Sequence, residues 1–373
     1  MSNKKSKNQT VFVAMSGGVD SSVATYLLKE AGYDVVGIFM RCFNVDGCAK
    51  KDAQDARRVA QHLEIPFYVW DFEEEYKNKV VEYMIEGYAK GATPNPDVMC
   101  NREIKFGLFL DKALEVGADR IATGHYVKLK EQTPNKKSQK TSNKVYELLE
   151  AEDAHKDQSY FLWTLRQEEL KKCLFPIGDY QKSEVRNVAD NNGLPVADKP
   201  DSQGICFLGQ VDLSEFLSRY IPKKEGPIVD MHGNEMGTHE GVWLYTIGQR
   251  RLGVEYNPPA GDSNPKPHYV AEKDLESNTL VMAEGSSNPA LFEKKVKLRD
   301  VNFIDSNRAP EDEIKVQARI RYNQPLFDAI LTKRENGYLL KFKNPQKFVS
   351  AGQSAVFYNK NSLNANLHPT NIK

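Results

Sequence analysis

The chain has few cysteines, no net charge and no long apolar run, and each lack narrows what it can be. Five cysteines in 373 residues are an odd number, and too few for the disulfide framework of a small secreted domain. No C-x-x-C pair occurs, and Cys42 with Cys48 makes a lone C-x5-C spacing, which argues against a zinc or iron–sulfur site. Lys and Arg number 51 and so do Asp and Glu, so the total charge demands neither a nucleic acid nor a membrane as partner. The polar start, Met1 to Thr10, leads into an apolar run that stops at Ser16-Gly17-Gly18, too short for the core of a secretory signal. A cytoplasmic protein with reduced thiols and no membrane span is the expectation. What is present suffices for several cores, with 40% hydrophobic residues over a length beyond the roughly 250 to 300 residues at which single cores stop growing.

Up to about residue 130, β-branched runs alternate with amphipathic stretches. Val11 to Met15, Val35 to Met40, Phe67 to Trp70 and Arg120 to Gly124 read as strands; Ser21 to Ala31, Asp52 to Leu63, Tyr76 to Tyr88 and Ile104 to Val116 read as helices. This order builds a parallel sheet covered on both faces. Glu131 to Lys144 carries no apolar side chain and reads as a solvated loop or hairpin tip. Helical pattern returns at Gln167 to Lys172 and Lys182 to Asn192. From Val211 glycine and turn residues become frequent, and further on short alternating runs such as Lys315 to Tyr322, Gly337 to Lys343 and Ser354 to Tyr358 suggest a small β-barrel. The expected architecture is α/β: a parallel-sheet domain over 1–210, a small central domain over 211–285 and a β-barrel over 286–373. That last segment holds 15 Lys and Arg against 8 Asp and Glu, a surplus that fits either a solvated sheet face or contact with nucleic acid.

The strongest local signal is Ser16-Gly17-Gly18-Val19-Asp20-Ser21-Ser22, between the first strand and the first helix. Two glycines let the backbone turn with its amides inward, three serines add hydroxyls, and the helix start adds a positive dipole end, so the segment can cradle an anion. It is neither G-x-x-x-x-G-K-[ST] nor G-x-G-x-x-G. It resembles the pyrophosphate loop of the PP-loop ATP pyrophosphatases, which implies ATP as cofactor and adenylated intermediates. Asparagine-, NAD- and GMP-forming ligases share that loop, so another amide-forming, adenylating ligase is the alternative.

Two further segments separate these readings. Thr93-Pro94-Asn95-Pro96-Asp97-Val98-Met99-Cys100-Asn101 is a proline-stiffened turn ending in a cysteine at the expected N-terminus of a helix, where the dipole would lower its thiol pKa. Asp201-Ser202-Gln203-Gly204-Ile205-Cys206-Phe207 sets a second cysteine beside a glycine. Taken alone, each cysteine reads more simply as an inert buried thiol. Together with the loop at Ser16, with Ala122 to Tyr126, Lys156 to Phe161 and Thr246 to Arg251, these segments resemble the tRNA-specific 2-thiouridylases from about Val11 to Tyr358.

The resemblance implies a tRNA-uridine 2-sulfurtransferase that uses ATP, with Mg, to adenylate the C2 oxygen of the wobble uridine in tRNA-Lys, tRNA-Glu and tRNA-Gln. Sulfur would then come from a cysteine persulfide, charged by a cysteine desulfurase or a sulfur-relay protein. It implies Cys100 as nucleophile, Cys206 as persulfide carrier, a Cys100–Cys206 disulfide as by-product, and Asp97 as general acid/base. Asp97 reads equally as a turn-forming residue after Pro96. Ala14, Met15, Ser16, Gly17, Gly18, Val19, Asp20, Ser21, Met40 and Gly124 would line the nucleotide, and no side chain is assigned to the metal. Asn95, Pro96 and Asp97 would face the target base. His125, Lys156, Asp157, Gln158, Arg321, Tyr322 and Gln353 would touch the tRNA; His125 otherwise reads as a cap or core residue, and Arg321-Tyr322 as an exposed strand pair. Ala14 stands where the family usually has glycine, the segment Arg41 to Cys48 lacks the tryptophan of many members, and Cys173 is expected to be structural.

Overall fold

The computed structural model describes residues 9–43, 47, 49–132, 144–201, 211–256, 266–359 and 368–372. Its first half is built on β1 (Thr10–Ala14), β2 (Asp34–Arg41), β3 (Phe67–Asp71), β4 (Arg120–Thr123), a separate hairpin of β5 (Lys128–Gln132) and β6 (Val145–Leu149), and the short β7 (Cys173–Leu174). The main sheet has the order β3-β2-β1-β4-β7 and every pairing in it is parallel. Side chains alternate along β1: Val11 and Val13 enter one apolar cluster with Val23 of α1 (Val19–Glu30) and Val59 of α2 (Ala49–His62). Phe12 and Ala14 enter the other, with Val80, Met84, Ile104 and Phe109 from helices 73–89 and 96–115. The period of two along the strand thus produces the two-faced layer expected from the sequence.

Helix 96–115 begins eight residues before the expected Ile104. Asn95 caps it, its side chain accepting from the Val98 amide at 3.3 Å, and Pro96 takes the first helical position. The stretch Cys100–Leu108 is π-helical. Its i to i+5 bonding rotates the apolar face away from the 3.6-residue period, so the pattern in the sequence becomes regular only afterwards. The tip of the β5–β6 hairpin lies outside the described residues.

The central domain is a four-stranded sheet of β8 (Gly226–Asp230), β9 (Glu235–His239), β10 (His268–Asp274) and β11 (Thr279–Glu284), ordered β10-β11-β8-β9 over a core of Ile228, Val270, Leu280 and Met282. The last domain is a closed barrel, β12 (Phe292–Arg299), β15 (Gly337–Lys347), β14 (Phe327–Arg334), β13 (Glu313–Arg319), β16 (Ser354–Asn359) and β17 (His368–Ile372) in that spatial order. Closure removes the free sheet edges that an open six-stranded sheet would expose.

The barrel is docked on the first domain through polar bonds as well as apolar packing. Tyr160 donates to the Ser354 carbonyl at 2.9 Å, the Trp163 indole donates to Ser354 Oγ at 2.9 Å, and Asn302 donates to the Trp163 and Leu165 carbonyls at 2.7 and 2.9 Å. Val356 and Tyr358 of β16 belong to the same apolar cluster as Ile104 and Phe109. Among the described residues no helix is long and apolar enough to cross a membrane.

Candidate active site

The loop after β1 and the loop after β4 open side by side at the C-terminal ends of adjacent parallel strands, the place where α/β sheets bind ligands. In the first, the Ser16 amide donates to Ser21 Oγ at 3.1 Å, and Ser21 and Ser22 hydroxyls donate to the Gly18 carbonyl at 3.1 and 2.8 Å. No side chain caps α1 at Gly18, so the first-turn amides are left for a ligand. Gly17 sits at φ +76, and a Cβ there would lie 2.3 Å from the Asp52 carbonyl oxygen. The cradle therefore fits the phosphates of a nucleotide: small residues, the uncapped first-turn amides of α1 and the helix dipole come together in one loop. Ala14 ends β1 in register with Ile38 and Thr123 and is buried, so the alanine is accommodated without distortion. Met40 lies near the end of β2, half-buried.

Gly124-His125-Tyr126 ties this cradle to the cysteine helix. A Cβ on Gly124 would come within 2.6 Å of the Ser21 amide nitrogen, so the backbone there must be bare. Tyr126 donates its hydroxyl to Asp20 at 2.7 Å. Between them, His125 Nδ1 bonds Thr123 Oγ1 at 2.7 Å and His125 Nε2 faces Lys105 Nζ at 3.5 Å. Burial, aided by the Lys105 charge, pushes His125 well below its ordinary pKa, so the ring is neutral and accepts from the ammonium. Lys105 stands one π-turn after Cys100.

Asp97 and Cys100 are three residues apart, on one side of the helix. Burial raises the Asp97 carboxyl against the opposing pull of Lys105. The expected lowering of the Cys100 thiol by the helix dipole is overturned. The helix starts at Pro96, so Cys100 lies beyond the turn where the dipole acts. Its thiol is pushed up by burial and by Asp97, with Lys105 and a hydrogen bond to Tyr76 opposing. Cys206 lies outside the described residues. Cys173 is buried in β7, its thiol bonded to the Glu169 carbonyl.

A cationic cluster lies beside the cradle; of its members the sequence singled out only Lys156, as a tRNA contact, and not Lys182, Arg186 or Lys199. Lys182 reaches Asp20 at 2.7 Å and Asp201 at 2.8 Å, Lys156 reaches Asp201 at 2.6 Å, and Arg186 reaches it at 2.7 Å. Burial pushes the Asp201 carboxyl up, but the bonds and charges of Lys156 and Lys182 outweigh it and bring it to about 2. Lys199 binds the Gly17 carbonyl at 3.1 Å together with Asp52 and Asp55, each at 2.7 Å. Only the tertiary fold brings these cations together: Lys182 and Arg186 share helix 182–191, while Lys156 and Lys199 come from separate loops.

The residues expected to touch tRNA divide in two. Asn95, Asp97 and Lys156 are partly exposed, Lys156 linked through Asp201 to the cradle; Pro96, in the same turn as Asn95 and Asp97, is buried. The others turn inward. His125 is 7% and Asp157 2% exposed. Asp157 accepts from Ser159 Oγ at 2.7 Å and faces Arg319 of the barrel at 3.4 Å, while Gln158 exchanges bonds with the Tyr126 backbone. Arg321 donates to the Ile247 and Phe348 carbonyls, the Tyr322 ring packs 4.5 Å from that of Phe161, and Gln353 donates to the Thr93 carbonyl. Neither an exposed strand pair nor a free fork beside a free ring describes Arg321-Tyr322: they follow β13 and sit at a domain junction. The barrel's positive side chains instead stand outward on β12 and β15, where exposed Lys295 lies opposite exposed Lys341.

The parallel sheet with its strand, glycine loop and helix defines an α/β protein of the HUP, PP-loop-like class. Family models agree in order along the chain: one described as tRNA methyl transferase HUP domain matches residues 9–210, tRNA methyl transferase PRC-barrel domain matches 214–284, and aminomethyltransferase beta-barrel domain matches 293–363. A tRNA-specific 2-thiouridylase MnmA of Alkaliphilus oremlandii is 42% identical over 362 residues, 95% of each chain. Another, from Geobacillus kaustophilus, is 44% identical over 359 residues, covering 94% of this chain and 93% of its own. The chain belongs to the family of tRNA-specific 2-thiouridylases. A solved 4-thiouridine synthetase–RNA complex with bound ATP aligns with 57% of this chain and 50% of that one, at 16% identity and TM-score 0.36, a likeness too slight to carry a reading of function.

Proposed function

We propose that this chain is an ATP-dependent tRNA-uridine 2-sulfurtransferase acting in the cytoplasm on the wobble uridine of tRNA-Lys, tRNA-Glu and tRNA-Gln. One observation supports it most: Gly124-His125-Tyr126 touches both the phosphate cradle and the helix of Asp97 and Cys100, so one loop links an anion site to a thiol-bearing helix. An amide-forming ligase needs the first and has no use for the second. The family's named activity supplies the substrate class.

A uridine C2 oxygen is a poor leaving group until it is adenylated. Its attack on the α-phosphorus of ATP expels pyrophosphate, which the first-turn amides of the 16–22 loop would receive, with Met40 and Gly124 toward the adenosine; a bound Mg would add positive charge against the phosphates. Asn95 and Asp97 face the unstacked base, which a single-stranded anticodon loop presents without breaking pairs. Asp97, held protonated by burial to higher pH than an exposed carboxyl, supplies the proton that the departing AMP oxygen takes up.

Sulfur arrives as a persulfide on Cys206, loaded by a cysteine desulfurase or relay protein. The terminal sulfur attacks C2 and AMP leaves; the Cys100 thiolate then attacks Cys206 Sγ, which forms the Cys100–Cys206 disulfide and releases the base as C2=S. In the other order Cys100 attacks first and the freed hydrosulfide displaces AMP. Either route ends in the same disulfide, which a dithiol reductant reopens. The test is AMP and pyrophosphate release from ATP. Equal amounts of both on addition of unmodified tRNA-Glu transcript with a persulfide source, and pyrophosphate in excess of AMP when the source is withheld, support the proposal, whereas release that needs ammonia and ignores tRNA would establish the ligase.

A further inference from the structure

Thr93, the first residue of the loop that carries Asn95 and Asp97, has every polar group taken by another domain. Its amide donates to the Ala351 carbonyl at 2.7 Å and its carbonyl accepts from Gln353 Nε2 at 2.8 Å. Its hydroxyl accepts from Ser350 Oγ at 3.2 Å and donates to Thr246 Oγ1 at 3.3 Å. Residues 350–353 form the barrel turn before β16, and Thr246 belongs to the central domain. The approach is close: Gly352 sits at φ +89, and a Cβ on it would lie 2.9 Å from the Thr93 nitrogen. Pro94 and Pro96 have no amide to donate, and the Asn95 side chain is spent on its own helix cap. Thr93 is thus where the loop is tied to the barrel and the central domain, while Tyr83 of helix 73–89 holds the Asn95 backbone from its own domain.

The tie is made to a stiff support. Arg321 donates to the Phe348 carbonyl through Nε at 3.1 Å and through Nη2 at 2.9 Å, and to the Ile247 carbonyl at 2.7 Å. Phe348 adopts φ +59, a left-handed conformation that a bulky residue keeps only where its surroundings enforce it. Its ring stacks on Tyr269 at 5.8 Å and so fills the space over Gly248 that a Cβ there would come within 2.3 Å of it. The chain from Phe348 to Gln353 therefore crosses the central domain and meets the Thr93 loop with little freedom.

We infer that the barrel turn 350–353, through Gln353 and Ser350, positions the Thr93–Asp97 loop and so sets the placement of Asp97 and Cys100 before any tRNA arrives. Gln353 and Ser350 are positioning residues, acting through Thr93. The consequence for rate rests on the sulfurtransferase proposal; the consequence for loop order does not. A displacement of about 1 Å in a reacting group can cost on the order of 100-fold in rate, so loosening this loop shows in turnover more than in affinity.

The test compares the full chain with Gln353→Ala, Thr93→Val and the conservative Thr93→Ser. Amide hydrogen exchange without tRNA or ATP should speed up about tenfold or more over residues 93–101 in the first two and leave β1 and β13 unchanged, with Thr93→Ser close to the parent. Single-turnover thiolation at saturating tRNA should fall roughly 10- to 100-fold while tRNA Kd stays within about twofold. Unchanged exchange over 93–101 overturns the inference. So does weaker tRNA binding with an unchanged saturating rate, which would make Gln353 a direct RNA contact. If the parent chain thiolates nothing, the proposed function fails while exchange still decides the positioning role.

Discussion

Replacing Arg319 tests the seam between the barrel and the first domain. Its side chain is 7% exposed and faces two carboxylates, Asp157 at 3.4 Å, 2% exposed, and Glu150, which hydrogen-bonds it and is 43% exposed. The guanidinium also lies over the Tyr358 ring, 5.1 Å from its centre. An ion pair with an exposed partner is worth about 0–1 kcal/mol, so the shorter contact matters less than the buried one. Arg319→Met leaves the Asp157 carboxylate buried with only Ser159 and the Ala151 amide as partners, a situation that costs about 3–5 kcal/mol. Asp157→Asn should cost less, about 1–3 kcal/mol, because Arg319 keeps Glu150. The double variant should lose less than the sum, by about 1–3 kcal/mol of coupling. Urea unfolding followed by tryptophan fluorescence reads this directly, since Trp163 donates to Ser354 across the same seam. Loss below about 1 kcal/mol for Arg319→Met, or a loss that high salt halves, would show the pair to be surface-like and refute the reasoning.

Other consequences can be measured as simply. Gly17→Ala should abolish ATP binding by calorimetry, because the methyl would sit 2.3 Å from the Asp52 carbonyl at a positive φ; retained affinity would show the cradle to be misplaced. Cys100 should alkylate half-maximally above the ordinary thiol value of 9.0, and Lys105→Met should move the profile higher still, since burial and Asp97 raise the thiol while Lys105 and Tyr76 oppose them; an unchanged profile contradicts the role given to Lys105. Asp201 is depressed in the folded state, from 3.8 to about 2, so its contribution to stability is present above the unfolded value and is lost as pH falls through about 2. At neutral pH Asp201→Asn should cost on the order of 2 kcal/mol, at about 1.36 kcal/mol per unit, and the difference from the parent should shrink as pH drops below about 4. A pH-independent difference would mean that the cations are held by something else.

The parallel sheet was legible because its strands are short β-branched runs whose alternate residues feed two cores, and the phosphate loop because glycines and serines can serve little else between a strand and a helix. The start of helix 96–115 was not legible. Its π-helical stretch breaks the apolar period, and for the same reason the pairing of Lys105 with Cys100, five residues apart, carries no α-helical signal. Asp157, Arg321 and Gln353 were expected at the tRNA from matching segments, and the structure gives each a partner in another domain. Their bonds cross domain boundaries, and no local pattern states which polar side chain another domain will cover. His125 fell between its two readings for a similar reason: its burial depends on Phe106 and Phe175 packing around it from other elements.

The central claim is that one crevice adenylates a tRNA uridine and delivers sulfur to it through two cysteines. Purified chain, unmodified tRNA-Glu transcript, ATP, Mg and a persulfide source should yield RNA retarded on a mercury-containing gel, with retardation lost when ATP is omitted or when Cys100→Ser or Cys206→Ser is used. Retardation that persists in both cysteine variants, or its absence despite tRNA-dependent AMP release and a competent sulfur source, would contradict the account.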